Sequence, residues 1–345
     1  MTESKEDLSV RIARAGQLAA LLEVSGYPKP GNVHRTRDFP DLRYEHFLAG
    51  SVAMGEPLRI TAEEGIGVGK GNLKRADIGL GGRIREGIEA IESSHLGGNT
   101  HLGTVLLFVP LSAVGGKVLS GGEDWNVDSL REEFRLTMKA TSSEDSLEVY
   151  DGIRIALGIE GEQMEADSTS WLGGADRTDM SVTDPATREK LSEGDVSLYE
   201  WMDLSSNWDG IARELTTGME ASFEVGFPTL RKSFEDYGDI NLAVVHTFLK
   251  ILSEYPDTFI ARKVGLEKCK NVAEAVEIGW ETAEEVSELA RSILNSGGLR
   301  TEEGQRRILK LDERLQSSEG KLNPGTTADL TAASINIALL DGLKY

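Results

Sequence analysis

The sequence predicts an all-α fold, a multi-helix bundle forming a single domain over residues 1–345. Two observations predict it. Apolar residues recur at helical spacing along most of the chain, and no strand–helix–strand rhythm accompanies the few alternating runs. A composition 39% hydrophobic and 28% charged is that of a folded chain with a large core.

The elements follow in order. Leu8, Ile12, Ala15, Leu18, Ala19 and Leu22 share one helical face, with Ser4 and Asp7 spaced as a helix start. Pro28, Pro30 and Pro40 make Ser25 to Asp41 an ordered loop between helices. The seven glycines between Gly65 and Gly82 break the pattern and read as a flexible turn. Val105 to Val114 is a buried apolar helix containing Pro110, too short for a membrane span. Residues 160–207 are polar and weakly periodic, a candidate lid or insertion, or else an ordinary surface excursion. Leu242, Val245, Phe248, Leu249 and Leu252 resume the helical face. Asn271 caps a long helix through Ile293, Ile308 to Leu315 continue the pattern, and Leu330 to Leu340 close it.

Charge narrows the function classes. With 58 acidic against 37 basic residues the net charge is −21, which repels nucleic-acid phosphate and anionic membrane. Cys269 is the only cysteine, which excludes an intrachain disulfide or a cysteine-built zinc site. Met1 to Asp7 is charged and lacks a signal-peptide core, so a cytoplasmic location is expected. Apolar helix faces leave room for a homodimer.

Four short stretches carry the chemistry. The run Gly65 to Asn72 suggests a phosphate loop, but Glu64 and Gly71 stand where that loop needs Gly and Ser or Thr. More telling is Gly26-Tyr-Pro-Lys-Pro-Gly-Asn-Val-His-Arg35, where Pro28 and Pro30 fix the direction of Lys29. Gly31 then allows a tight turn with amides open to an anion; a rigid turn with a solvated lysine is the plainer alternative. Gly97-Gly-Asn-Thr-His-Leu-Gly103 places Asn99, Thr100 and His101 at the mouth of the apolar helix, as ligand groups or, for one of them, a cap. In Asn323-Pro-Gly-Thr-Thr-Ala-Asp-Leu330, Thr326 and Asp329 have capping-box spacing, and Asp329 also suits a general base or metal ligand beside the Gly325 and Thr326 amides. Arg262 and Lys263 form a fourth candidate, a basic pair for phosphate or simply for the surface.

Taken together and in order, these stretches resemble the triphosphoribosyl-dephospho-CoA synthase family. Its pattern runs T-P-K-P-G-L-V-D, an aspartate-led helix ending in serine, G-x-N-T-H-K-G, then S-P-G-x-x-A-D-L. Here the second segment reads from Asp41 to Ser51, and the resemblance covers both ends of the chain. It implies an all-helical fold and ATP as donor of a triphosphoribosyl group to the 2′-hydroxyl of dephospho-CoA, with adenine released. The product becomes the prosthetic group of citrate or malonate decarboxylating lyases. It further implies Lys29, Pro30, Gly31, Arg262, Lys263, Gly325 and Thr326 on phosphate, with Asn99 and Thr100 orienting donor or acceptor. His101 would orient them as well, Asp329 would be base or metal ligand and Asp41 a second carboxylate, with acid and base exchangeable between His101 and Asp329 and Mg2+ on the triphosphate.

The departures are Leu102 where the family carries lysine, and Asn32 and His34 for its Leu and Asp. They leave three alternatives: a divergent transferase in another coenzyme pathway, a nucleotide or phosphate-ester hydrolase, and a non-catalytic nucleotide-binding protein.

Overall fold

A computed structural model describes residues 5–121, 125–159 and 186–345, with 180, 182 and 184 between them. Among these residues the fold is all-α, as expected. The first half is built from α1 (Lys5–Ser25), α2 (Tyr44–Ala53), α3 (Gly55–Gly69), α4 (Leu80–Glu92), α5 (Leu102–Ser120), α6 (Val127–Met138) and α7 (Ser143–Ala156). Short helices α8 (Thr187–Glu193), α9 (Leu198–Ser205) and α10 (Gly210–Thr217) lead to α11 (Phe227–Tyr237) and α12 (Ile240–Glu254). The chain then runs through α13 (Thr258–Leu266), α14 (Val272–Asn295) and α15 (Glu302–Gln316) to α16 (Gly325–Leu340).

Two helices are buried nearly all round, so they carry little amphipathic signal. Helix α5 is covered from Leu102 to Gly116, with α1, α3, α4, α6 and α16 packed around it. It is long and apolar enough to cross a membrane, but 83% of its apolar window is buried in the protein, so core packing explains its composition. Helix α16 is the second, buried from Thr327 through Ala338 apart from Asp329. A second core gathers Phe248, Leu252, Ile260, Val276, Ala283 and Leu311 from α12 to α15. Helices α12 and α16 contribute side chains to both cores and so join them.

Caps confirm several helix starts. Asn271 accepts the Glu274 amide at 3.0 Å, and Asp239 accepts that of Leu242 at 3.0 Å. Ser4 lies outside the described residues, as do 160–179, 181, 183 and 185 of the candidate lid. The described remainder of that stretch is packed rather than loose, with Leu191, Leu198, Trp201 and Met202 all buried.

The glycine-rich stretch departs from expectation. Gly65, Gly67 and Gly69 continue α3, and the chain turns only at Gly71 (φ +72°) and Gly79 (φ +66°). A Cβ on Gly65 would lie 1.9 Å from the Ala113 carbonyl oxygen, and one on Gly116 would lie 2.2 Å from that of Ala62. The glycines therefore let the backbones of α3 and α5 touch, and this packing overrides their poor helix propensity. Gly265 and Gly279 do the same for α13 and α14, against Ala275 and Ala261.

This contact separates two otherwise similar substitutions. Gly65→Ala is expected to lose about 1–3 kcal/mol in urea unfolding, because the carbonyl it meets cannot rotate away. Gly82→Ala, with nothing within 4 Å of its Cβ position, is expected to gain about 0.5–1 kcal/mol. Equal effects at the two sites would remove the close-contact explanation.

Candidate active site

The loop after α1, the starts of α5 and α16, and α13 line a cleft of about 170 Å³. Its lining includes Glu23, Asn32, Asp41, Asn99, Thr100, His101, Leu102, Lys263, Gly325, Thr326 and Asp329. Stretches far apart in sequence thus meet at one place, as the motif reading expected.

Asp329 faces this cleft because it is not used as a cap. The expected Thr326–Asp329 capping box does not form: α16 begins at Gly325 behind Pro324, with no side-chain cap. Asp257 does that work instead. One of its oxygens accepts the Thr327 amide and hydroxyl, each at 2.7 Å, and the other accepts the Phe259 and Ile260 amides at 2.9 and 3.1 Å. Asp329 is left with Thr104, whose hydroxyl donates at 2.5 Å. It keeps some solvent contact through the cleft, yet crowding by protein raises its carboxyl to about 8. A Cβ on Gly103 would sit 2.2 Å from its oxygen, so only glycine fits opposite it.

His101 is buried beneath the loop that precedes α5. Its Nδ1 lies 2.8 Å from the Thr100 hydroxyl and its Nε2 lies 3.2 Å from that of Ser51. Loss of hydration first, then the charges of His95 and Lys29, push its pKa down to about 3. A ring held neutral cannot serve as an imidazolium acid, which corrects that half of the expected exchange with Asp329. Asn99 caps α5, accepting the Leu102 amide at 3.0 Å, so its plainer reading holds.

The expected phosphate ligands divide. Lys29 is fully buried and does not line the cleft. Its ammonium pairs with the Glu23 carboxylate and donates to the Glu23 carbonyl at 3.1 Å. Burial pushes the lysine down and the glutamate up, each toward its neutral form. Pro30 is buried, and the Gly31 amide, at φ +73°, donates to Asp312 at 3.0 Å rather than standing open to an anion. Arg262 is buried against Asp209 at 3.3 Å, away from the cleft. These three expectations fail for one reason: each group is satisfied by a carboxylate, Glu23 six residues before Lys29 and Asp312 and Asp209 from distant parts of the chain. Lys263 does face the cleft, 4.3 Å from the Phe259 ring centre, donating to the Gly320 carbonyl at 3.1 Å, its pKa lowered by burial to about 8. Asp41 stands exposed at the rim, and Thr326 bonds the Thr258 hydroxyl at 3.2 Å.

Glu23, Thr104 and Asp257 escaped the sequence reading, while Ser51 entered it only as the serine that ends the second motif segment. Of the three, Glu23 alone left a signal, a carboxylate on the buried side of an apolar helix. Among the described residues no three His, Cys, Asp or Glu side chains stand close enough to hold a metal by themselves. The expected metal role of Asp329 thus lacks protein co-ligands.

A family model described as ATP:dephospho-CoA triphosphoribosyl transferase matches residues 9–345. A protein of Pseudomonas fluorescens named as a 2-(5″-triphosphoribosyl)-3′-dephosphocoenzyme-A synthase is 31% identical over 39% of this chain and 40% of its own length. One of the same name from Malonomonas rubra is 28% identical over 46% of this chain and 43% of its own. These matches span about two fifths of either relative. A crystal structure named as a triphosphoribosyl-dephospho-CoA synthase from Archaeoglobus fulgidus shares the fold, with TM-score 0.56 and 24% identity over 86% of this chain and all of that one.

Two measurements follow from the buried charges. Lys29→Met is expected to cost about 3–5 kcal/mol, because Glu23 is left buried and unpaired, while Lys29→Met with Glu23→Gln recovers most of it. A single variant of unchanged stability would return Lys29 to the cleft. Asp329 binds a proton in the folded state from its ordinary 3.8 up to about 8, where the unfolded chain has lost it. It therefore subtracts stability progressively as pH rises through that window. Asp329→Asn is expected to flatten that slope and to unfold at a higher temperature than the parent above pH 8. Parallel stability curves would contradict the raised carboxyl.

Proposed function

Since the chain belongs to the ATP:dephospho-CoA triphosphoribosyl transferase family, we propose that its cleft moves the triphosphoribosyl group of ATP onto the 2′-hydroxyl of dephospho-CoA. A C–O bond forms at the ribose anomeric carbon as the glycosidic C–N bond breaks. The hydroxyl loses its proton and the leaving adenine gains one. Supporting this reading above all is Asp329, a carboxyl raised to about 8 and so protonated at neutral pH, facing a cleft rather than closing an ion pair. Such a group gives its proton to the departing base. The carboxylate left behind then opposes the positive charge on the opening ribose ring.

The remaining groups take shares of the substrate. Lys263 is the cation of the described lining, and the start of α16 adds the Thr326 backbone N–H, the Gly325 amide being held by the Asn323 carbonyl at 2.9 Å, so the triphosphate belongs beside them. Leu102, where the family pattern has lysine, adds apolar surface but no charge. With Glu23, Asp41 and Glu319 also lining the cleft, the donor fits best with its own charge offset. Mg2+ suits that need, because it binds through one or two carboxylates plus substrate phosphates, and it would neutralise the triphosphate when bound. Exposed Asp41 is the carboxylate that would hold it, leaving Asp329 its proton.

Adenine release measured by chromatography tests the reaction. The full chain with ATP, Mg2+ and dephospho-CoA is expected to release adenine, and Asp329→Asn to lower kcat by about 100-fold or more. Adenine formed without dephospho-CoA would mean hydrolysis or another acceptor. None formed from all three would end the transfer reading.

A further inference from the structure

Ser51 and Thr100 flank His101, and the chemistry of the chain they form fixes every proton in it. The Ser51 hydroxyl lies 2.7 Å from the Phe47 carbonyl one turn earlier in α2, and 3.2 Å from His101 Nε2. A peptide carbonyl only accepts, so the single Ser51 proton is committed to Phe47. His101 Nε2 must then carry a hydrogen and donate it to Ser51. A neutral ring has one N–H, which leaves Nδ1 a lone pair. The Thr100 hydroxyl, 2.8 Å away, must therefore donate to Nδ1. His95 Nε2 reaches the same Thr100 oxygen at 3.2 Å and has only the donor role left.

All donors point one way, and the chain stops at a carbonyl, so no proton passes onward. Gly50 holds the ring from the other side: a Cβ there would lie 2.7 Å from Nδ1. With its proton spent on His101 and one lone pair taken by His95, the Thr100 hydroxyl has a single lone pair left to offer the cleft that Thr100 lines.

We propose that Ser51 is a positioning residue that locks His101 as the Nε2–H tautomer, and that Thr100 is thereby a specificity residue, a pure acceptor seating a sugar hydroxyl rather than a phosphate oxygen. A hydroxyl donates into that lone pair; a phosphate oxygen opposes it. The tautomer follows from this geometry together with the neutrality that burial imposes on His101, while the choice of sugar hydroxyl as ligand rests on the transfer reading.

NMR of isotope-labelled histidine in the full chain tests the lock. Five resonance sets are expected, one per histidine, with His101→Gln identifying the relevant one. The parent should show His101 protonated at Nε2, and Ser51→Ala should show a share of the Nδ1–H form. Calorimetry tests the seat without requiring turnover. ATP lacking its 2′- or 3′-hydroxyl, and dephospho-CoA lacking its 2′-hydroxyl, are compared with their parents. At least one analogue should bind roughly tenfold more weakly than its parent in the wild type and in Thr100→Ser, with that gap closed in Thr100→Val. An Nδ1–H His101 in the wild type overturns the proposal, as do equal gaps for every analogue in the wild type and Thr100→Val. The expected tautomer and gap in a protein that never releases adenine would support this seat while removing the transfer reading.

Discussion

Asp257 accepts four hydrogen bonds from two helix starts at once, those of α13 and α16, and the cleft depends on that sharing. Both helices begin with unpaired amides that a buried position cannot leave unsatisfied. A carboxylate placed between them answers both needs and fixes the two axes relative to each other. Lys263, one turn into α13, and Asp329, one turn into α16, then face one cavity. Because Asp257 does the capping, Asp329 is released from it. A side chain that sequence spacing assigns to helix closure becomes available to a ligand.

The cleft floor is governed by desolvation more than by charge pairing. Lys29 and Glu23 drift toward neutrality, Asp329 toward its acid and His101 toward its free base, and loss of hydration is the largest cause in every case. Neutral groups in a crowded floor hold their hydrogen bonds in fixed directions, since none attracts a competing ion. The Ser51–His101–Thr100 chain needs this condition. An imidazolium would donate from both nitrogens and turn the Thr100 proton outward.

Much of the helical framework was legible in the sequence, because α12, α14 and the Asn271 cap of α14 depend on neighbours three and four residues away. The meeting of the four motif stretches was legible as well, through their ordered resemblance to one family. Individual roles were less so. Lys29, Gly31 and Arg262 read as anion ligands, yet Glu23, Asp312 and Asp209 hold them, and two of those partners come from distant parts of the chain. Composition cannot reveal such a pairing. The glycines of α3 illustrate a second limit: a flexible turn and a close helix crossing use the same residue, and only the partner backbone distinguishes them.

These pairings also orient the donor on the transfer reading. With Lys29, Arg262 and the Gly31 amide taken, and the Leu102 and Gly325 amides held by Asn99 and by the Asn323 carbonyl, phosphate oxygens find partners mainly at Lys263 and at Thr326. At the start of α5 they would meet the Thr104 hydroxyl already donating to Asp329, and at Thr100 a lone pair. The triphosphate is therefore steered toward α13 and α16. On that reading the ribose would lie against Thr100, with its glycosidic bond toward the Asp329 carboxyl. Leu102 fits this arrangement, because a lysine at that position would draw phosphate toward the wall where the sugar hydroxyl is read.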